Sequence, residues 1–282
     1  MALKAAERNE REFTFSDNEF RFLATLANKK TGIQLPDQKR DMVYSRLVRR
    51  LRALKLSSFA QYCDYVSGPC GDEEVGNLVN AITTNLTHFF REGHHFDHLS
   101  DKLLQPLMQS RQRHLRIWSA GCSSGMEPYS IAMTVKHKLK DSAGWDAKIL
   151  ATDIDTSMLD RGKKGAYTNE EYENIPKSYR VDVNENTREG TMQMSSVLRD
   201  MIAFNQLNLL EPWPMKVKFD AIFCRNVVIY FDKVTQAKLF NRMADLIAPH
   251  GFLYIGHSEN ITKICQRFEL IGKTIYRPVM PL

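Results

Sequence analysis

From about residue 115 onward, short apolar runs alternate with helical patterns, and this alternation constrains the fold more than any other feature. Leu115–Ala120, Ala147–Thr152, Met201–Leu207, Phe219–Cys224 and Gly251–Ile255 read as strands. Glu127–Leu139 and Lys233–Ile247 read as helices between them. Phe268–Ile271 and Thr274–Arg277, separated by Gly272-Lys273, read as a closing hairpin. Such alternation predicts an α/β fold with a mostly parallel sheet covered on both faces. The polar stretch 163–200 breaks the rhythm and is too long for a plain loop, so it should carry a small structure of its own.

The first hundred residues have a different texture and read as helical. Ser16 and Glu19 form a candidate capping box ahead of Phe20, Leu23 and Leu26. Thr31-Gly32 ends that helix, and Pro36 can open the next. A short helix is expected over Phe59–Val66, broken by Ser67-Gly68-Pro69, and another over Glu73–Thr83. No internal repeat appears. The division predicted is a helical domain over 13–92, a second domain over 93–282, and an inserted β-subdomain over 163–200.

At 43% hydrophobic and 26% charged, the 282 residues are too ordinary for a disordered or collagen-like chain. No run approaches the roughly 20 apolar residues of a membrane helix. MALKAAERNEREF lacks the apolar core of a signal peptide, so a cytoplasmic location without membrane insertion is expected. Five cysteines (Cys63, Cys70, Cys122, Cys224, Cys265) with no C-x-x-C pair favour neither a disulfide framework nor a zinc site. The formal charge is +6, and one segment accounts for it. Between Lys39 and Lys55 stand seven cations (Lys39, Arg40, Arg46, Arg49, Arg50, Arg52, Lys55) against Asp41 alone. Val43, Leu47, Leu51 and Leu54 give this segment a helical apolar stripe. A face of nearly unopposed sign suits an acidic partner, either phosphate or a carboxylate-rich protein surface.

In an open α/β sheet, ligands bind beyond the carboxyl ends of the strands. After the first strand comes A-G-C-S-S-G-M-E, residues 120–127, with Gly121 and Gly125 permitting a tight turn. It is neither a P-loop nor a full G-x-G-x-x-G. Glu127 would repel a phosphate but suits the ammonium of an amino acid. Asp153, at the end of the second strand, can accept from ribose hydroxyls, while Asp155 or Thr156 can cap the following helix. A glycine turn, an acid for an ammonium and an acid for a ribose fit S-adenosylmethionine better than a dinucleotide.

The segments TTNLTHFFRE (83–92), WSAGCSSGMEPYSIAM (118–133), ILATDID (149–155), NLL (208–210), FDAIFCRNVVIYFD (219–232) and GHSEN (256–260) resemble those of the chemotaxis receptor methyltransferases, the CheR family. The resemblance implies a class I methyltransferase domain, Rossmann-like with a mostly parallel seven-stranded sheet. It also implies an N-terminal all-helical domain and a small β-subdomain. By the same resemblance Asn85, Thr87 and Arg91 belong to a linker over the cofactor, and Glu127 meets its methionine end. Asp153 meets the ribose, Asn208 and Leu209 the adenine side, and Arg225 and Asn226 the region near the sulfonium. Arg91 and Tyr230 position the accepting carboxylate. The implied reaction methylates receptor glutamates and leaves S-adenosylhomocysteine. The implied partners are the cytoplasmic helices of methyl-accepting chemoreceptors, with Arg46, Arg49, Arg50 and Arg52 as docking residues.

Some family members also tether to a receptor-tail peptide through a glycine-rich loop in the β-subdomain. In VDVNENTREGTMQM (181–194), Asn184 and Asn186 replace the expected glycines, Gly190 is kept, and Gln193 stands in place of an Arg. Asn tolerates left-handed backbone better than most residues, but the departure puts the tether in doubt. His88, His94, His95 and His98 cluster without a further ligand pattern, so no metal is expected. Cys122 and Cys224 read as small neutral wall residues. Two competing readings are a nucleic-acid methyltransferase, which the basic helix would suit, and a non-catalytic cofactor-binding adaptor. C-R-N-V-V at 224–228 differs from the N/D-P-P-Y/F of amino-methylating enzymes and disfavours a nucleic-acid target.

Overall fold

A computed structural model describes residues 11–69, 71–139, 144–186 and 190–279. The chain divides after Thr83 into two compact units, so residues 84–92, expected in the helical domain, belong to the second.

The first unit packs four helices: α1 (Asp17–Thr31), α2 (Arg40–Ala53), α3 (Phe59–Ser67) and α4 (Gly71–Ile82). The Ser16–Glu19 capping box is formed, and Gly32 closes α1 in the left-handed conformation at φ 74°. Pro36 precedes a 3₁₀ turn over Asp37–Lys39, and the α-helix starts at Arg40. Val43, Leu47 and Leu51 are fully buried along α2. Burial of each stabilises the unit by about 1.5–3 kcal/mol.

The same helix spends two of the arginines read above as docking residues inside the unit. Arg50 grips Glu74 of α4 with Nε on Oε1 at 3.0 Å and Nη2 on Oε2 at 2.6 Å. Glu74, 3% exposed, also accepts from the Tyr62 hydroxyl and Asn77. Arg46 donates to the carbonyls of Ile82 and Thr83 at 2.9 and 2.6 Å, where α4 leaves its last acceptors unpaired. Both therefore help hold α2 against α4. Arg49 and Arg52 are exposed, and Arg52 pairs with Glu12.

The second unit begins with the linker motif and a helical stretch made of α5 (His94–His98), a π-helical segment Leu99–Leu104 and α6 (Gln105–Gln109). The alternation follows: β1 (His114–Ala120), α7 (Met126–Leu139), β2 (Asp146–Asp153) and α8 (Thr156–Lys164). An inserted section carries β3 (Ala166–Tyr167), α9 (Asn169–Tyr172), β4 (Val183–Asn186) and β5 (Thr191–Met194). After α10 (Ser196–Asp200) come β6 (Ile202–Gln206), β7 (Phe219–Cys224), α11 (Lys233–Leu246), β8 (Ile247–Ile255), β9 (Phe268–Gly272) and β10 (Ile275–Pro278).

Seven strands form one sheet in the order β6-β2-β1-β7-β8-β10-β9. The five from β6 to β8 are parallel, and β10 runs antiparallel to both neighbours. Every residue of β7 is buried, as a central parallel strand requires. Strand order reverses between β1 and β7, so the ligand crevice should lie beyond their carboxyl ends.

The insertion forms a three-stranded antiparallel sheet, β3-β5-β4. Tyr167 fixes it to the second unit by donating from its hydroxyl to the Ser124 carbonyl at 2.7 Å. Asn184 and Asn186 lie in strand β4, with neither in the left-handed region. Gln193 donates to the carbonyls of Lys164 and Gly165. Residues 187–189 of the tether stretch, and Cys70, lie outside the described residues.

Candidate active site

The loops after β1, β2 and β7 meet at the switch point. Gly121 turns out of β1 at φ 84°, and a Cβ there would sit 2.3 Å from Cγ2 of Val227. Only glycine lets the two loops approach this closely. The N–H groups of Gly121 and Cys122 both donate to the Thr152 carbonyl, at 2.8 and 2.9 Å. Ser123, at φ 49°, donates its N–H to Asp153 Oδ2 at 2.7 Å and its hydroxyl to the Asn85 carbonyl at 3.3 Å. Asp153 Oδ1 accepts the Asp155 N–H at 2.9 Å. Asp155 caps α8 and accepts from Asn85 Nδ2 at 2.7 Å. The glycine turn, the acid of β2 and the linker are thus stapled to one another. Burial pushes the Asp153 carboxyl up, against the pull of those two backbone donors.

The linker is held by its aromatic pair. Phe89 is buried edge-on to Tyr167 at 4.9 Å, and Phe90 stacks on Tyr179 at 4.7 Å. Phe90 and Glu92 adopt φ 52° and 57°. With Ser123 and Asn226 they make four non-glycine residues with left-handed backbone in these loops. Backbone of that kind costs roughly 1–3 kcal/mol per residue and persists where surrounding structure enforces it. Arg91 is half-buried and donates from Nη1 to the Leu86 carbonyl at 2.9 Å. Thr87 is half-buried on the same linker.

Arg225 joins the linker to the glycine loop. Its side chain, 2% exposed, lies 3.0 Å from Glu127 Oε2 and 3.4 Å from Glu92 Oε2. It also donates to the Arg91 carbonyl and lies 5.8 Å from the centre of the Phe96 ring. Glu127 Oε1 accepts the Ser119 hydroxyl at 2.7 Å. Burial pushes the Glu127 carboxyl up, with Arg225 opposing. Glu92 is desolvated too, yet Arg225 and the His257 donors hold it below its ordinary value. His95, fully buried beside Glu92, is driven down to about 3 by burial and by Arg225, so its imidazole is neutral.

Asn226, at φ 58°, follows Arg225 on the way to the Val228–Tyr230 turn. Glu259 fixes this path. Its carboxylate, 5% exposed, accepts the N–H groups of Asn226 (2.9 Å), Val228 (3.0 Å) and Gly256 (2.6 Å). Tyr230 is half-buried at the end of the turn. Asn208 accepts the Leu210 N–H at 3.0 Å, and Leu209 is buried. Around these loops Glu92, Glu127, Asp153, Asp155 and Glu259 outnumber Arg91 and Arg225. The excess of acceptors and negative charge suits a cationic ligand bearing an ammonium and a ribose diol.

The chain matches the family description "CheR methyltransferase, SAM binding domain" over residues 85–277, and "CheR methyltransferase, all-alpha domain" over 18–83. The chain belongs to the CheR methyltransferase family. Chemotaxis protein methyltransferase 2 of Pseudomonas aeruginosa is 42% identical over 271 residues, covering 95% of each chain. The chemotaxis protein methyltransferase of Escherichia coli is 42% identical over 266 residues, covering 93% of this chain and 91% of that one. A probable chemotaxis protein methyltransferase of Rhizobium etli is 44% identical over 255 residues, covering 87% and 94%.

This CheR-family chain is therefore a methyltransferase that uses S-adenosylmethionine, and the acceptor-rich loops fit that cofactor. The structure links Asn85 to Asp153 through Ser123 and Asp155, joins Glu127 and the Arg91 carbonyl through Arg225, and ties Gly121 to Thr152 and Asn226 to Glu259. It buries the Arg225 side chain beside Glu127 and Glu92, where its guanidinium favours the charged form of both carboxyls against their burial. The sequence reading gave no role to Ser119, Ser123, His95, His257 or Glu259. Glu259 stood in the GHSEN segment, but its partners are backbone N–H groups, which leave no mark in side-chain pattern. The four histidines each bond to groups of the protein: His88 to the Phe89 carbonyl, His94 and His95 to the Lys273 carbonyl, His95 also to the Thr274 hydroxyl, and His98 to the Tyr254 hydroxyl.

Proposed function

We propose that this chain transfers the cofactor methyl group to glutamate side chains in the cytoplasmic helices of chemoreceptors, giving methyl esters and S-adenosylhomocysteine. The observation that carries this reading is the acid-rich edge at which Asp153 and Glu127 meet a linker bearing Arg91. When bound, S-adenosylmethionine supplies an electrophilic methyl on sulfur. The methyl forms a bond to a carboxylate oxygen as the carbon–sulfur pair stays with sulfur.

A glutamate carboxylate, with a reference pKa of about 4.3, is already an anion at neutral pH. The chain therefore needs no strong general base. Its work is to align donor and acceptor and to exclude water. In this reading Glu127 takes the ammonium and Asp153 the ribose hydroxyls. Asn208, Leu209 and Asn226 contact the remainder of the cofactor, and Asn85 and Thr87 cover it. Arg91 and Tyr230 orient the accepting carboxylate. Arg91 is anchored through Leu86, which suits steering better than tight pairing, because a tight pair would quench the nucleophile. Of the basic helix, Arg49 and Arg52 remain for docking, in a protein that works in the cytoplasm.

The test is to incubate the protein with methyl-labelled cofactor and either receptor-containing membranes or RNA. Alkali-labile label on membrane protein is expected. Label on RNA, or on neither, would refute the proposal.

A further inference from the structure

Crossovers between parallel strands usually pack a helix against the sheet. Two connections here carry none: residues 207–218 between β6 and β7, and 256–267 between β8 and β9. Both flank α11. Beside that helix, from Lys233 to Arg242, lies an open groove of about 1670 Å³, lined also by Leu209, Leu210, Pro212, Asn260, Thr262 and Lys263.

Its chemistry is one-sided. Leu210 and Val234, 37% and 66% exposed, offer apolar surface. Lys233, Lys238, Arg242 and Lys263 line it, and no acidic residue does. Arg242 is committed to the fold: it lies over the Trp213 ring at 3.8 Å and donates to the carbonyls of Leu209 and Glu211. Lys238 and Lys263 are exposed and make no ion pair among the described residues. Of the nearby acids, Asp232 caps α11 and lies within electrostatic reach of Lys238, Glu211 accepts from Asn208, and Asp245 pairs with Arg267.

We infer that this groove is a docking site for an acidic, amphipathic helix of the methyl-accepting protein, a statement that rests on the function proposed above. The partner's apolar face packs on Leu210 and Val234, and its carboxylates run along Lys238 and Lys263. The groove starts at Lys233, three residues beyond Tyr230, so docking and acceptor positioning share one connection of the chain.

The test uses the double variant Lys238→Glu/Lys263→Glu, the milder Lys238→Ala/Lys263→Ala, and a receptor cytoplasmic fragment. KM for the fragment should rise about tenfold in the Glu variant and less in the Ala variant, as expected for two exposed charge contacts. The rate at saturation and S-adenosylhomocysteine affinity should stay within about twofold of the parent. An unchanged KM, or equal losses in KM and cofactor affinity, would overturn the inference. Should the parent not methylate the fragment, the proposed function fails, and calorimetric binding of the fragment decides the groove alone. Binding weakened by the Glu variant supports it; no binding, or equal binding by both, rejects it.

Discussion

At the scale of the residue, the basic helix shows that charge in a sequence is not charge at a surface. Arg46, Arg49, Arg50 and Arg52 look equivalent as letters. Arg50 forks onto the buried Glu74, Arg46 fills the carbonyl end of α4, and only Arg49 and Arg52 stay exposed. The sign of the segment was legible, but its division needed the position of Glu74, 24 residues away. Removing Arg50 strands a buried carboxylate, which costs about 3–5 kcal/mol. Arg50→Ala should therefore lower stability in denaturant unfolding by that amount. Arg49→Ala should change it by less than about 0.5 kcal/mol. Equal effects would contradict the assignment of Arg50 to the fold.

The acid network repeats the lesson. Glu127 and Asp153 were legible because strand ends in an α/β sheet predict where acids matter. Arg225 was legible as a site residue, but its burial between two carboxylates was not. A pair such as Arg91-Glu92 suggests a local ion pair from sequence. In the structure Glu92 pairs with Arg225 and His257, from a residue whose backbone is left-handed at φ 57°.

At the scale of the element, the seven strands of the large sheet and helices α7 and α11 followed from apolar periodicity, with ends shifted by a few residues, whereas α5, α6, α9 and α10 carried no such signal. The central parallel strands could be read because buried parallel strands are nearly all apolar, and the hairpin β9–β10 because Gly272-Lys273 marks its turn. The small sheet was legible only as an interruption. Its strands are short, and Asn184 and Asn186 suggested turn geometry where β4 is extended. The glycine loop makes the sharpest prediction at this scale. Gly121→Ala adds a Cβ at positive φ and 2.3 Å from Val227, a strain of roughly 1–3 kcal/mol. S-adenosylhomocysteine affinity, read by calorimetry, should fall for Gly121→Ala. Adding Val227→Ala should restore it in part, since the clash is relieved but the backbone strain is not. Full retention of affinity in the single variant would show that the close approach of the two loops does not matter.

At the scale of the whole molecule, the +6 carried by residues 39–55 of the first unit leaves the rest of the chain balanced. The second unit then separates its charges: acids gather at the switch point, and lysines line the groove beside α11. That separation suits a cationic cofactor at one place and an acidic protein at others. The central claim is that the methyl group ends on a glutamate oxygen. Fragment mass spectrometry of a receptor cytoplasmic domain, after reaction with the protein and S-adenosylmethionine, locates the added methyl directly. The account predicts it on glutamate side chains, removed by mild alkali. A methyl group on a lysine or asparagine nitrogen, stable to alkali, would contradict it.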